Sequence, residues 1–206
     1  MTVHIAENHE LTVKGLQLLF QGESINIAGV TYNGEETIEW FAKNTADILL
    51  LDISMPKVNG IEVLKYFKEH DIAPKVIVLS AYNNDVIIEA VIKYGVKGYI
   101  LKEEAHLTLL DALKDVYNGK TYFSKEINDR VLAIEDRIVA MDALSSRERE
   151  VMSLLSKNYD YKEVTQELGI SSSTLRSHTN KIRNKLGLKT NAGFAKYIVR
   201  FLTLKS

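Results

Sequence analysis

The sequence contains no cysteine. That removes a disulfide framework, a thiolate metal site and a thiol nucleophile, and it fits a reducing compartment. No apolar run approaches the roughly 20 residues of a membrane-spanning helix. The N-terminus enters Val3-His4-Ile5-Ala6 without the basic leader and apolar core of a signal peptide. These absences predict a soluble, cytoplasmic chain with no membrane partner. Acidic residues are missing too, from one stretch: none follows Glu167, whereas Arg176, Lys181, Arg183, Lys185, Lys189, Lys196, Arg200 and Lys205 do. Residues 1–123 carry a net charge of -6 and residues 124–206 carry +5, so the overall -1 conceals two oppositely charged parts. A one-sided positive end points to a polyanionic partner, of which nucleic acid is the usual one.

At 206 residues the chain accommodates two domains. Short apolar runs at 3–6, 25–30, 48–52, 76–80 and 98–102 alternate with helix-period segments at 11–21, 35–44, 61–70, 85–94 and 105–118. Five strand–helix units with short connections predict an α/β domain with a five-stranded doubly wound parallel sheet. The run Ile48-Leu49-Leu50-Leu51 fits a strand buried on both faces, and it delivers Asp52 into a loop marked by Pro56 and Asn59-Gly60. A lone Asp in that place is as often a helix cap as a functional group. In such sheets, however, ligands gather at the carboxyl ends of the strands. Those ends bring Glu7 and Asn8, Asp52 and Ser54, Ser80, and Lys102 to one edge. A carboxylate acceptor, a second acid, a hydroxyl and an ammonium are what phosphoryl transfer to a carboxylate requires.

With Glu7-Asn8, with Asp52 in Leu-Asp-Ile-Ser-Met-Pro-x-x-x-Gly, with Ser80-Ala81, and with Tyr99 three residues before Lys102, residues 1–122 resemble a CheY-like receiver domain. The resemblance implies that Asp52 is phosphorylated by a histidine kinase. It implies that Mg²⁺ sits among Glu7, Asn8, Asp52 and the Ser54 backbone carbonyl, and that Lys102 pairs with the phosphoryl group. Ser80 and Tyr99 would be the switch pair, the hydroxyl moving toward phosphate and the ring turning inward. One residue departs from the family, which usually has two adjacent acids where this chain has Glu7-Asn8. The missing charge is worth on the order of 1 to 4 kcal/mol next to a divalent ion. Weakened Mg²⁺ binding and slow or conditional phosphorylation are therefore expected.

Residues 123–142 form an expected helical linker, with Ile127, Val131, Ile134, Ile138 and Met141 at helical spacing. In residues 143–206, Ser145 opens a helix to about 157, a second runs from 161 to 168 and stops at Gly169, and a third runs from the Ser171–Ser173 cap to Leu186. Leu175, Thr179, Ile182 and Leu186 should face the core of an all-α helix-turn-helix domain. Leu144-Ser145-x-Arg147-Glu148, Leu168-Gly169-Ile170-Ser171 and Thr174-Leu175-Arg176-Ser177-His178 resemble the LuxR-type domain, and the whole chain resembles the NarL/FixJ-family response regulators. That implies base contacts from Arg176, Ser177 and Asn180 and phosphate contacts from Thr174, Lys181 and Lys185 on double-stranded DNA. A fourth helix at 192–202 would form a homodimer through Phe194, Tyr197, Ile198 and Phe201, though such a stripe is as often plain core. His178 lacks a second ligand at metal spacing and is expected to pack or to touch phosphate.

The expected function is a DNA-binding transcriptional regulator controlled by phosphorylation of Asp52. A regulator of the same architecture working without phosphorylation is the alternative. An aspartyl-phosphate enzyme and a receiver that binds only proteins are the rivals from other classes.

Overall fold

The computed structural model describes residues 1–188, 190, 192–195 and 197–198, leaving aside the side chains of 133, 135–139 and 141. The chain divides into two compact units, Met1–Val131 and Leu132–Ser206.

In the first unit, β1 (Thr2–Ala6), α1 (Glu10–Leu19), β2 (Asn26–Thr31), α2 (Gly34–Phe41), β3 (Ile48–Asp52), α3 (Gly60–Glu69), β4 (Lys75–Ser80), α4 (Asp85–Lys93), β5 (Gly98–Leu101), α5 (Ala105–Tyr117) and β6 (Tyr122–Phe123) alternate strictly. The sheet is parallel throughout, in the order β2-β1-β3-β4-β5-β6. It has six strands where the sequence led us to expect five. The sixth is two residues long at the edge beside β5, too short to show a period of two.

β3 lies at the middle of the sheet, and every one of its residues is buried. Ile48 and Leu50 join Val3, Ile5, Ile77, Leu79 and Ile100 in a core closed by Val13 and Leu16 of α1 and by Leu109, Leu113 and Val116 of α5. Leu49 and Leu51 alternate to the opposite face and are equally buried, so an unbroken apolar run is what this strand needs. Fully burying each such side chain contributes about 1.5–3 kcal/mol.

The loop after β3 doubles back tightly. The Gly60 amide donates to the Ile53 carbonyl (3.0 Å), and a Cβ at Gly60 would stand 2.4 Å from the Asp52 carbonyl oxygen. Only glycine lets α3 begin this close to Asp52. Asn59 then caps that helix in a reciprocal box with Glu62.

α6 (Lys125–Asp142) begins in the first unit, where Ile127 and Val131 are buried. The second unit holds α7 (Ser146–Ser156), α8 (Tyr161–Leu168) and α9 (Ser172–Lys185), followed by helical residues at 192–195 and 197–198. Val151, Met152, Val164, Leu175, Ile182 and Phe194 pack at its centre. Gly169 ends α8 at φ 60°, the left-handed conformation that glycine adopts without penalty, and this is the turn before α9. The side chains of Ile138 and Met141 and all of Phe201 lie outside the described residues.

Candidate functional site

Parallel strands put their carboxyl ends on one edge, and Glu7, Asp52, Ser80 and Lys102 each lie at or just past such an end. Glu7 and Asp52 are both only 2% exposed. The ammonium of Lys102 lies 2.7 Å from Glu7 Oε2 and 2.8 Å from Asp52 Oδ2. Two nearly dry carboxylates thus share one cation, leaving the cluster net negative. Burial works to lower the Lys102 pKa, but the hydrogen bonds and charges of Asp52 and Glu7 outweigh it and hold it above the ordinary lysine value. Lys102 is therefore a fixed positive charge beside Asp52.

The remaining carboxylate oxygens have their own partners. Asp52 Oδ1 accepts from the Ser54 amide at 3.1 Å. Glu7 Oε1 accepts from the His9 amide at 3.0 Å and lies 2.8 Å from His9 Nδ1. Asn8 Oδ1 is closed off from solvent and has no hydrogen-bond partner. Sequence reasoning stopped at Glu7-Asn8 and missed His9, although it occupies the same strand-end loop. Glu7, His9 and Asp52 present ligand atoms all within 4.8 Å of one another.

Ser80 and Tyr99 stand side by side. Ser80 pairs in register with Leu101 on the neighbouring strand, and its buried Oγ accepts from the Tyr82 amide at 3.0 Å. The Tyr99 ring is fully buried, turned inward, and its hydroxyl donates to the Tyr82 carbonyl at 2.7 Å. Burial pushes the Tyr99 pKa up, offset in part by the Ser80 hydroxyl and the Arg130 charge. Tyr82 was also missed: its amide and carbonyl hold Ser80 and Tyr99, and its hydroxyl lies 3.4 Å from Ser54 Oγ. A backbone-mediated role leaves no residue-type signal. Immediately beyond, Asn83 donates to Glu126 of α6, and Arg130 of α6 donates to Asn83 and pairs with Asp85 at 2.6 Å.

In the second unit, Ser171 caps α9 by accepting from the Thr174 amide at 3.1 Å. Leu175, Thr179, Ile182 and Leu186 are buried, while Thr174, Arg176, Ser177, Asn180 and Lys181 are exposed along the other side. His178 is half-buried. Lys185 does something the sequence did not suggest. Its ammonium lies 2.7 Å from Oε2 of the buried Glu148 and donates to the Ala143 carbonyl at 3.0 Å. Burial pushes the Glu148 pKa up, but Lys185 and the Ser145 donors bring it below the usual carboxylate value. Phe194 and Tyr197 are buried in the core of this unit and Ile198 packs against it, so intramolecular packing already takes much of that stripe.

Among the described residues, no helix is long and apolar enough to cross a membrane. Residues 3–114 match the family model of the response regulator receiver domain, and residues 142–198 match that of the luxR family of bacterial regulatory proteins. The transcriptional regulatory protein MctR of Rhizobium johnstonii is 30% identical over 95% of this chain and 91% of its own length. DesR of Bacillus subtilis, also a transcriptional regulatory protein, is 30% identical over 92% of both chains. Among solved structures, the RcsB response regulator of Salmonella typhimurium superposes with a TM-score of 0.67 at 29% identity, covering 96% of this chain and 98% of that one. An RcsB–DNA complex superposes with a TM-score of 0.60 at 27% identity, covering 97% and 98%.

Proposed function

This chain belongs to the response regulators, a receiver domain followed by a LuxR-type DNA-binding domain in a transcriptional regulator, and we propose that a histidine kinase phosphorylates it at Asp52 to control dimerisation and promoter binding. In that transfer the N–P bond of a kinase phosphohistidine breaks, an O–P bond forms to Asp52, and the imidazole leaves. The observation that carries the reading is the Lys102 ammonium held between Glu7 and Asp52, where it can follow the phosphoryl oxygens as they arrive. A bound Mg²⁺ would supply further neutralisation of phosphoryl charge. The donor set fits such an ion, since Glu7 and Asp52 bring ligand oxygens within 4.8 Å of each other and the neighbouring Asn8 has an Oδ1 screened from solvent without a partner. Asn8 brings no charge, so the affinity should be low.

We assign 1–122 to the receiver, 123–142 to the linker and 143–206 to the DNA-binding domain. Arg176, Ser177 and Asn180 read bases in the major groove, with Thr174 and Lys181 on phosphates. Support comes from the acid-free exposed side of α9 and from the DNA bound to RcsB in its complex. The partner for dimerisation is a second copy, through surface near Ile198, and the RcsB dimers on DNA support this.

A second reading, regulation without phosphorylation, is favoured by one observation: Tyr99 is already turned inward onto the Tyr82 carbonyl. Incubation with a small phosphodonor and Mg²⁺ separates the two. Phosphoryl incorporation that is lost in Asp52→Asn, accelerated in Asn8→Asp, and accompanied by tighter promoter binding supports the first. Incorporation that survives Asp52→Asn overturns it, and promoter binding indifferent to both phosphodonor and Asp52→Asn establishes the second.

A further inference from the structure

The carboxylates of Glu7 and Asp52 are divided by function. Each gives one oxygen to the Lys102 ammonium, Oε2 and Oδ2 respectively. Of the other two, Glu7 Oε1 faces the His9 imidazole and Asp52 Oδ1 faces the Ser54 amide. The His9 side chain is 63% exposed, so little packing opposes a rotation, while its backbone amide is pinned by the hydrogen bond it donates to Glu7 Oε1. Its ligand atom lies with those of Glu7 and Asp52 inside a 4.8 Å span. Ligands at about 2.0–2.2 Å from a metal ion can be no more than about 4.4 Å apart. Closing that span takes a shift of roughly half an ångström, within reach of one exposed ring. Between the two donors in sequence sits Asn8, whose Oδ1 is screened from solvent without a partner.

We propose that His9 is a nitrogen ligand of the divalent-ion site, giving it a mixed set of two carboxylates, an amide oxygen and an imidazole that favours a first-row transition ion over Mg²⁺. This rests on the reading of the strand-end cluster as a metal site, and adds to it both a residue and a class of ion. The chemistry follows from the donors. Mg²⁺ is hard, keeps to oxygen and gains nothing from an imidazole, whereas Co²⁺ and Zn²⁺ bind imidazole nitrogen well. Replacing a second acid with Asn8 removes charge, on which Mg²⁺ depends most, while an ion taking His9 Nδ1 displaces to solvent the proton that this nitrogen donates to Glu7, a cost that imidazole ligation offsets for the softer ion only. The substitution at one position and the imidazole at the next thus act in the same direction.

Because any nitrogen–oxygen site binds Co²⁺ more tightly than Mg²⁺, the discriminating quantity is the change made by His9. The full-length chain, His9→Ala, His9→Gln and Asp52→Asn are titrated with Co²⁺ and with Mg²⁺ by calorimetry, and the Co²⁺ complex is followed by its visible absorption. We expect His9→Ala and His9→Gln each to weaken Co²⁺ at least about 10-fold and to shift its absorption bands, with Mg²⁺ affinity changed less than about 2-fold. Asp52→Asn weakens both ions. Co²⁺ affinity and spectrum unchanged in both His9 variants, or equal losses for the two ions, overturn the role of His9. If Asp52→Asn leaves both ions unaffected, the cluster is not the metal site at all, and the underlying reading fails with the proposal.

Discussion

His4 sits in surroundings that disfavour its charged form. It is fully buried, its Nε2 lies 2.9 Å from the Thr31 hydroxyl, and its ring lies 4.1 Å from that of Trp40. Burial lowers its pKa to about 4. The folded value is below the unfolded 6.5, so the neutral ring contributes fully above pH 6.5, and the contribution drains away as pH falls toward 4. The total is at most about 3 kcal/mol. Urea unfolding of the receiver unit should therefore show a lower midpoint at pH 5 than at pH 7.5, and His4→Phe should reduce that difference. Curves in which wild type and variant fall in parallel would refute the assignment. Lys185 makes a second case at this scale. Removing it leaves the buried Glu148 carboxylate without its cation, so Lys185→Ala should destabilise the second unit by about 1–3 kcal/mol. Thermal unfolding measures this, and an unchanged midpoint would mean that the ion pair contributes nothing.

Between elements, several polar contacts join the start of α6 to the loop after β4 and the first residue of α4. Arg130 pairs with Asp85 and Asn83, and Glu126 accepts from Asn83. That loop also supplies the Tyr82 groups that hold Ser80 and Tyr99. Ser80 is thus connected to α6 through Tyr82 and its neighbour Asn83. Arg130→Ala should raise hydrogen exchange of residues 82–86 by about 10-fold or more, since each lost charged hydrogen bond is worth about 1.5–3 kcal/mol. Unchanged exchange would show that the helix merely rests there. The elements themselves were legible, because five apolar runs separated by amphipathic segments leave few topologies, and their ends fell within about three residues of those found. The strand-end cluster followed from the parallel sheet alone. His9 was not legible, because its imidazole meets Glu7 only once the strand-end loop is folded, and three further things were not. β6 is too short to leave a pattern, Tyr82 acts through its backbone, and Lys185 looked like a surface cation because its partner Glu148 lies 37 residues away in sequence.

Among the described residues, the core of the first unit on the α1 and α5 side of the sheet and the core among α7, α8 and α9 share no residue. Units built this way unfold separately unless their interface is extensive. Calorimetry should resolve two transitions, with promoter DNA raising only the one that Lys185→Ala lowers and divalent ions raising the other. The charge split gives a companion expectation. DNA affinity should fall by roughly one log unit per log unit of salt for each phosphate neutralised, and Lys181→Ala should reduce that slope by about one. A flat dependence would exclude the basic side of α9 as the contact surface.

The complete burial of β3 also sets a clock. Amides of Leu49, Leu50 and Leu51 lie between two sheet neighbours and two apolar layers, so they should exchange only when the entire unit opens. The carboxylate that ends this strand therefore rides on a segment closed to local opening, while the loop bearing Tyr82 and Asn83 is held by hydrogen bonds to Ser80, Tyr99, Glu126 and Arg130. A group added at Asp52 would thus be carried by a strand that local opening does not reach, and its effect is expected in the loops around it.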